Sequence, residues 1–454
     1  MTVTKPNYPS AFLHPFSDIP TLEQSGPVII ERGEGIHVFD ESGRGYIEGN
    51  SGLWNAVLGF DHPKLTEAAQ RAYARMPAYH AFFGRICPSA LELSERLVAI
   101  APMKASRVFY ANSGSEANDT VVKMLWLLAE AEGKPHRRLL LSRRGAYHGV
   151  SVATASLTGK DYVRAFSGLP MPEVRFLTCP HHWREARAGE SEEDFSRRLA
   201  VEIEQTIRNT GPDLIAGFFA EPVLGAGGVI PPPKGYFQAI RPVLRKFGIP
   251  LIADEVICGF GRTGALWGSL TYDIQPDIVV ASKAITAGFF PMGAVILSPE
   301  LGERVEAAAK RHDEFPHGFT TGAHPVGCAI ALAAIEEIES AALPNLRRVA
   351  PAFQDRLRRL GAHPMVGEAR GVGLMGALEL VADKSSKRPY PAELRVSERI
   401  ARQALKNGLI CRPLGQSVVL APPFVITPAE IEELFAILAR TMDEVHAGLA
   451  LTAG

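Results

Sequence analysis

Short apolar runs alternate with helical patterns through the middle of the chain, and this alternation limits the possible folds most strongly. The runs are apolar throughout, without the polar–apolar alternation of a sheet that has one solvated face. Continuous apolar strands between helices are typical of a parallel sheet covered on both faces. The sequence therefore predicts an α/β domain with a mostly parallel sheet. The predicted strands lie in the segments "RVFYA", "LIAGFFAEPV", "IPLIADEVI", "DIVVASKAI" and "MGAVILS".

The pattern changes near residue 322, where long helices such as "CAIALAAIEEIES" and later short strands such as "SVVLAPPFVIT" begin. A chain of 454 residues is long enough for one large and one smaller domain. We predict a large cofactor-binding domain over residues 61–322. A small α+β domain would combine residues 323–454 with residues 1–60, which contain the hairpin-like segment "IHVFDESGRGYIE".

Composition limits the partners of this chain. The formal net charge is −1, so no basic surface for nucleic acid or an anionic membrane is expected. The five cysteines are far apart, and no Cys/His cluster has the spacing of a metal site. No secretory signal is evident at the N-terminus. We expect reduced thiols, no metal, a cytoplasmic location and small-molecule partners.

Lys283 lies in the apolar stretch 278–297, which has the length of a membrane span. A central lysine is costly in lipid, so we interpret the stretch as protein interior. Burial disfavours the ammonium form and makes a neutral, nucleophilic amine accessible. The alternative is a lysine that reaches solvent from the end of a strand.

A second candidate site is "YANSGSEANDTVVKML", a predicted strand followed by a helix. Ser113 and Glu116 have the spacing of a capping box. Free backbone N–H groups, the hydroxyls of Ser113 and Ser115 and the positive end of the helix could bind a phosphate. The lysine of a nucleotide-binding P-loop is absent. A simple helix cap is the alternative.

Two carboxylates, Asp254 and Glu255, follow a predicted central strand, where open α/β sheets bind their ligands. Asp254 could pair with a protonated ring nitrogen, cap a helix or form a salt bridge. The next three glycines, Gly259, Gly261 and Gly264, match the G-x-G-x-x-G pattern of dinucleotide sites. No helical pattern or strand-end acid follows at the required distance, so we predict a tight loop at the rim of the active site instead.

Tyr147, in "AYHG", could cover the face of a planar ligand or serve as a packing residue. An amine nucleophile, a phosphate-binding helix end, a carboxylate for a ring nitrogen and an aromatic side chain together describe a pyridoxal phosphate site. In such a site the lysine forms a Schiff base with the cofactor and the protein tunes the ring. We therefore predict pyridoxal phosphate as the cofactor.

Six segments resemble, in order and spacing, the class III aminotransferases of pyridoxal phosphate (PLP) fold type I. The resemblance extends over nearly the whole chain. It implies an aspartate aminotransferase-like fold, ping-pong transamination, and a homodimer or a tetramer built from it. The segments are "FYANSGSEANDTVVK", "AYHG", "AEPVLGAGGV", "LIADEVICGFGRTG", "SKAITAGFFPMGAV" and "HGFTTGAHPVGCA".

The resemblance also implies a role for each matching residue. Lys283 and Asp254 are the implied catalytic residues, with Lys283 bonded to the cofactor and Asp254 paired with its ring nitrogen. Glu221 is a candidate supporting residue, or simply a carboxylate at a strand end. The other implied cofactor contacts are Val256 under the ring, Tyr147 over it, Gly114 and Ser115 at the phosphate, and Thr320 at the phosphate of the neighbouring subunit.

Substrate preference is inferred from departures within the family. Relatives that act on ornithine or 4-aminobutyrate carry a glutamate and an arginine where this chain has Ala226 and Val419. This chain instead has Arg412 and Trp54, which resembles the ω-amine or ω-amino acid:pyruvate transaminases. Their arginine binds the keto-acid carboxylate and moves aside for an apolar amine. The implied amine pocket consists of Trp54, Tyr147 and Phe82, with Phe83 as the alternative to Phe82.

Several other functions remain open at this stage. A PLP-dependent decarboxylase or aminomutase of the same fold would share Lys283 and Asp254. A non-catalytic PLP-binding regulator would need a DNA-binding surface, which the charge balance does not favour. An NAD-dependent oxidoreductase would depend on the glycine pattern that fails above. The donor amine is also open, and β-alanine, taurine, diamines and aryl-alkyl amines all fit.

Overall fold

The computed structural model describes residues 11–452, so the ends of the predicted small domain at residues 1–10 and 453–454 lie outside it. The helices are α1 Ile19–Ser25, α2 Ser51–Trp54, α3 Pro63–Arg75, α4 Pro88–Ile100, α5 Gly114–Ala131, α6 Val152–Leu157, α7 His182–Glu185, α8 Glu192–Thr210, α9 Tyr236–Lys246, α10 Gly268–Thr271, α11 Pro299–Ala309, α12 Pro325–Glu337, α13 Leu343–Leu360, α14 Val396–Lys406 and α15 Pro428–Thr452.

The strands form three sheets. They are β1 Ile30–Glu34, β2 His37–Asp40, β3 Gly45–Glu48, β4 Arg107–Ala111, β5 Leu139–Arg143, β6 Val174–Leu177, β7 Ile215–Ala220, β8 Leu251–Asp254, β9 Ile278–Ala281, β10 Gly293–Leu297, β11 Val366–Val372, β12 Met375–Leu380, β13 Leu409–Ile410, β14 Arg412–Leu414 and β15 Ser417–Leu420.

The central sheet has seven strands in the order β4-β10-β9-β8-β7-β5-β6. The pairs among β9, β8, β7, β5 and β6 are parallel, which confirms the predicted mostly parallel sheet. Strand β10 is antiparallel to both of its neighbours, β4 and β9. The reason is the short connection over residues 282–292, which leaves no room for the covering helix that a parallel return would need.

The carboxyl ends of five strands meet at one edge of this sheet. Strands β5, β7, β8 and β9 run in the same direction. Because β10 is antiparallel to both β4 and β9, strand β4 also runs in that direction. The segments that follow β4, β5, β7, β8 and β9 therefore start close together, at the edge where ligands bind in open α/β sheets.

The two smaller sheets are built from the N-terminal and C-terminal parts of the chain. The predicted hairpin is confirmed as β2 and β3, which pair antiparallel. Strand β13 adds to β3 in parallel, so residues near 47 and 409 are neighbours. The third sheet, in the order β11-β12-β15-β14, is antiparallel throughout.

The apolar stretch 278–297 is part of the protein interior, as predicted. Every residue of β9 and β10 is buried. Between them the chain turns back at Lys283, and so the stretch forms two strands of the central sheet. Among the helices of the described part of the chain, none is both long enough and apolar enough to cross a membrane.

Candidate active site

A cavity of about 370 Å³ opens at the carboxyl edge of the central sheet. Its wall is built from the first residues after β4, β5, β7, β8 and β9, as the sheet topology requires. Seven predicted site residues line it, namely Gly114, Ser115, Tyr147, Glu221, Asp254, Val256 and Lys283.

Lys283 follows β9 with a left-handed backbone, φ 48°. This conformation is uncommon for a residue with a side chain and is a form of strain found at functional sites. The preceding Ser282 stabilises the turn because its hydroxyl donates a hydrogen bond to the carbonyl of Met292 at 2.6 Å. Burial lowers the pKa of the Lys283 amine, Asp254 opposes this shift, and Arg412 adds to it. The cavity therefore favours the neutral amine more than water does.

The Asp254 carboxylate is 3% exposed and held by three donors. Its Oδ1 accepts a hydrogen bond from the Val256 N–H at 3.1 Å. Its Oδ2 accepts one from Asn118 Nδ2 at 2.9 Å and one from His148 Nδ1 at 2.7 Å. These contacts fix the orientation of a carboxylate that lines the cavity.

The adjacent Glu255 has a different environment. Its two oxygens accept hydrogen bonds from the N–H groups of Gly268 at 2.9 Å and Ser269 at 2.6 Å, at the start of α10. Burial raises the pKa of Glu255 to about 7. Glu255 is thus a helix cap below the cavity, and of the two neighbouring carboxylates only Asp254 lines the cavity.

The start of α5 has the free N–H groups that an anion would need. The capping box is confirmed, since Ser113 Oγ accepts from the Glu116 N–H at 3.1 Å and Glu116 Oε2 accepts from the Asn112 N–H at 2.6 Å. The N–H groups of Gly114 and Ser115 have no acceptor among the described residues. A Cβ on Gly114 would lie 3.0 Å from Val256 Cγ2, so glycine allows the close approach.

Glu221 supports the loop that carries Tyr147. Its two oxygens accept hydrogen bonds from the N–H groups of Tyr147 and Gly225, each at 3.0 Å. Burial raises the pKa of Glu221, and the hydrogen bond from the Tyr147 N–H opposes this shift. Tyr147 is therefore presented to the cavity by a carboxylate at the end of β7.

The glycine loop after Glu255 is a tight turn, as predicted, and α10 beyond it has only four residues. Gly261 has φ 116°, a conformation that favours glycine. Its position differs from the predicted one, since none of the three glycines lines the cavity. A Cβ on Gly259 would lie 2.8 Å from the Glu255 carbonyl oxygen, and one on Gly261 would lie 3.0 Å from Phe424. The loop therefore packs against the protein interior and not at the rim of the cavity. A side chain at Gly259 or Gly261 would have no room there.

Arg412 is on β14, directly opposite Val419 on β15. Its guanidinium is half-buried and has no hydrogen bond, ion pair or ring contact with any described residue. It is close enough to Lys283 and Tyr147 to affect the pKa of each. Burial lowers the pKa of Arg412 itself, against the influence of Tyr162 and Tyr147. The structure thus holds an unpaired cation beside the cavity, although not on its wall.

Besides Arg412, four residues named from the sequence do not line this cavity. Trp54 is 1% exposed and packs in the core with Val223, Ile257 and Val419. Its chain neighbours Leu53 and Asn55, and Ile257 of the same cluster, do line the cavity. Phe82 and Phe83 both line a second cavity of about 460 Å³. Thr320 is exposed, on the loop that closes that second cavity.

Residue-by-residue sequence reasoning missed several cavity residues. Asn118 could have been found, because it is a buried polar residue on the apolar face of α5, one turn after Gly114. His148 lies inside the quoted "AYHG" but was given no role. Ser113, which also lines the cavity, was expected from the capping box. The other wall residues, which were given no individual role, are Leu53, Asn55, Asn112, Gly149, Ile257, Ser282, Gly288, Phe290, Pro291 and Met292.

The donor set of the cavity fits pyridoxal phosphate. The helix end at Gly114 and Ser115 offers N–H groups to a phosphate. Asp254 offers a carboxylate to a ring nitrogen, Val256 and Tyr147 offer apolar surface to a ring, and Lys283 offers an amine. The phosphate, the ring nitrogen, the ring faces and the aldehyde of that cofactor thus each have a candidate partner on this wall.

Comparisons with known proteins agree with this geometry. The family model for Aminotransferase class-III matches residues 20–442. A PMP-bound aminotransferase structure from Vibrio fluvialis is 57% identical, with TM-score 0.94 over 96% of this chain and 97% of that one. An omega-aminotransferase structure from Paracoccus denitrificans is 57% identical, with TM-score 0.95 over 97% and 98%. The mitochondrial gamma aminobutyrate transaminase 1 of Solanum lycopersicum is 43% identical over 422 residues, 92% of this chain and 82% of its own length.

Proposed function

The chain belongs to the class III aminotransferases, which are PLP-dependent enzymes of fold type I, and we propose that its amino donor is an ω-amine or ω-amino acid and its acceptor pyruvate or a similar keto acid. The cofactor, when bound, supplies an electrophilic carbon and a ring that withdraws electrons. The observation that carries the proposal is the unpaired Arg412 beside the Lys283 cavity.

Lys283 and Asp254 are the proposed catalytic residues. The depressed pKa of Lys283 supports a neutral amine that can remove a proton from the amine-bearing carbon of the donor. The same nitrogen would then deliver that proton, as an acid, to the cofactor carbon that keeps the amino group. Asp254, fixed by its three hydrogen bonds, would hold a proton on the ring nitrogen through its negative charge.

The remaining wall residues would bind and orient the cofactor. The free N–H groups of Gly114 and Ser115 and the positive end of α5 support phosphate binding. Val256 and Tyr147 would confine the ring between them. Glu221 would act indirectly, because both of its oxygens are used to hold the Tyr147 loop.

Arg412 is the proposed carboxylate-binding residue of the keto-acid half-reaction. Residues directly opposite each other on antiparallel strands project from the same face of the sheet. The Arg412 side chain therefore starts from the face where some family members carry an arginine at the position of Val419. A planar guanidinium without a protein partner can bind a carboxylate with two hydrogen bonds and can move when the substrate lacks one.

The donor side of the proposal is supported by the apolar wall and by the relatives. Leu53, Ile257 and Phe290 add apolar surface to Tyr147, and Trp54 belongs to the same buried cluster as Ile257. The Paracoccus denitrificans structure is named an omega-aminotransferase, and the Solanum lycopersicum relative is named for γ-aminobutyrate, an ω-amino acid. Both names are compatible with a primary amine at the end of an alkyl chain.

Assembly as a homodimer or tetramer is also part of the proposal. Thr320 is exposed and lies beside a cavity lined by Phe82 and Phe83, which supports its use by a neighbouring subunit. The pairing of β3 with β13 supports a small domain built from both chain ends, with residues 61–322 as the large domain. All five cysteines are free thiols, which supports the proposed cytoplasmic location.

The variant Arg412→Ala tests the acceptor assignment. We expect the KM for pyruvate to rise at least about hundredfold, since loss of one partner of a charged hydrogen-bonded pair costs several kcal/mol. The half-reaction with an apolar amine should slow far less, because that substrate has no carboxylate. Arg412→Lys is the matched control. Its KM for pyruvate should lie between those of the wild type and Arg412→Ala, because lysine keeps the charge but lacks the planar, forked guanidinium. Equal losses in both half-reactions would contradict the assignment.

A further inference from the structure

We infer that His148 is a positioning residue that holds the Asp254 carboxylate as a neutral imidazole with its proton on Nδ1. This inference rests on the proposed function, in which Asp254 pairs with the ring nitrogen of the cofactor. His148 Nδ1 and Asp254 Oδ2 are 2.7 Å apart, and the two side chains are 0% and 3% exposed.

The backbone of His148 is fixed on both sides. Its N–H donates to Thr158 Oγ1 at 3.0 Å, and its carbonyl accepts from Asn118 Nδ2 at 3.0 Å. The same Asn118 nitrogen donates to Asp254 Oδ2 at 2.9 Å. Asn118 thus ties the loop of His148 to the carboxylate, and the imidazole has little freedom to turn away from it.

The surroundings of the second ring nitrogen assign the tautomer. His148 Nε2 is buried and has no hydrogen-bond partner among the described residues. The ring of Phe219 lies beside the His148 ring, and the two ring centroids are 5.9 Å apart. The other carboxylate nearby, Glu221, uses both oxygens on backbone N–H groups. A proton on Nε2 would be a buried donor without an acceptor. An imidazolium would have the same unpaired donor and would bury a positive charge as well. The single proton therefore belongs on Nδ1.

A neutral donor has a specific advantage at this position. An ionised carboxylate offers about four lone-pair sites, and three of those of Asp254 are used by Val256, Asn118 and His148. None of these three donors is a cation. The negative charge of Asp254 is therefore left for the protonated ring nitrogen, with which an imidazolium would compete.

Paired variants of His148 test this inference. In His148→Asn, the amide nitrogen takes the place of Nδ1 and can still donate, whereas His148→Leu removes the donor. We expect His148→Leu to bind pyridoxal phosphate about tenfold to a hundredfold more weakly, as measured by quenching of apoenzyme fluorescence, since hydrogen bonds to charged groups have this strength. His148→Asn should stay within about threefold of the wild type.

A spectroscopic measurement separates positioning from a merely structural role. With 15N-labelled pyridoxal phosphate, the ring-nitrogen chemical shift of His148→Leu should move toward the unprotonated value, and His148→Asn should restore it. Wild-type affinity and shift in a folded His148→Leu protein would overturn the inference. So would a folded His148→Asn variant that matches His148→Leu in both measurements.

The wild-type holoenzyme gives a result that does not depend on how the variants fold. In histidine-labelled enzyme at neutral pH, the 15N signals of His148, assigned by their loss in His148→Asn, should show a neutral ring protonated on Nδ1. A doubly protonated ring, or a proton on Nε2, would overturn the inference. A different result would contradict the proposed function itself, namely an Asp254→Asn variant that retains the wild-type cofactor affinity and ring-nitrogen shift.

Discussion

At the residue scale, two basic side chains distinguish this site from an ordinary protein interior. Lys283 and Arg412 have no hydrogen bond or ion pair with any described residue, although each is partly buried. Charged groups in that position are costly unless something pairs with them. The proposed function gives each of them a ligand, the aldehyde carbon of the cofactor for Lys283 and a substrate carboxylate for Arg412.

The pH dependence of cofactor uptake tests the state of Lys283. Its pKa is lowered from 10.5 by burial, so the neutral amine predominates from a lower pH than it does in water. We expect the rate at which apoenzyme takes up pyridoxal phosphate to rise with pH and then reach a plateau. The midpoint of the rise should lie below pH 10.5, as followed by visible absorbance in a stopped-flow instrument. A midpoint at or above that value would contradict the burial argument, and Lys283→Ala is the control that should give no visible band.

The sequence identified Lys283 and Arg412 as site residues to different degrees. Lys283 interrupts an apolar stretch, so its own surroundings in the sequence single it out. Arg412 lies in a short segment with no periodic pattern, and only the family resemblance pointed to it. His148 and Asn118 were missed because their importance depends on contacts with Asp254, 106 and 136 residues away.

At the element scale, the end of β8 shows how one strand serves two purposes. Asp254 and Glu255 are adjacent in sequence, and from the sequence alone either could have been the ligand-binding carboxylate. The structure separates them because Glu255 caps α10, a helix of four residues without a helical pattern in the sequence. Continuous apolar runs predicted the strands well, but not that β10 would be antiparallel, since strand direction depends on the connection.

The pH profile of unfolding tests the cap formed by Glu255. Its folded-state pKa of about 7 is above the usual 4.5, so the folded protein binds a proton that the unfolded chain has lost between these values. Stability should therefore fall as pH rises through this window, by up to about 3 kcal/mol from this group. In Glu255→Gln, which does not ionise, the decrease in Tm from pH 5 to pH 8 should be smaller. Parallel Tm profiles for the two proteins would contradict the assigned shift.

At the scale of the whole molecule, the site depends on parts of the chain that are far apart in sequence. Arg262, in the glycine loop, is fully buried and donates to the carbonyls of Pro422 at 2.6 Å and Leu374 at 3.0 Å, and to Ser51 Oγ at 3.0 Å. It thereby joins the large sheet to both chain ends. Sequence patterns are local, so these long-range pairs were beyond prediction, as was the core position of Trp54.

Mixed dimers test whether Thr320 serves the neighbouring site. Subunits with Lys283→Ala and subunits with Thr320→Ala should each form defective homodimers. If Thr320 contributes across the interface, a mixed dimer has one intact site, and random mixing restores about a quarter of the wild-type sites. Alanine formation after denaturation and refolding of the mixture measures this. Activity no higher than the average of the two separate variants would contradict the shared site.

The most direct measurement is the amino-group balance of the purified enzyme with pyruvate and a panel of donors. β-Alanine, a diamine, taurine and an aryl-alkyl amine are each incubated with pyruvate, and alanine, the carbonyl product and carbon dioxide are quantified. We expect at least one donor to give alanine and its carbonyl product in equal amounts, with no carbon dioxide, and Lys283→Ala to give neither. Carbon dioxide release in step with turnover, or no alanine from any donor in a PLP-loaded enzyme, would contradict the proposed amine:pyruvate transamination.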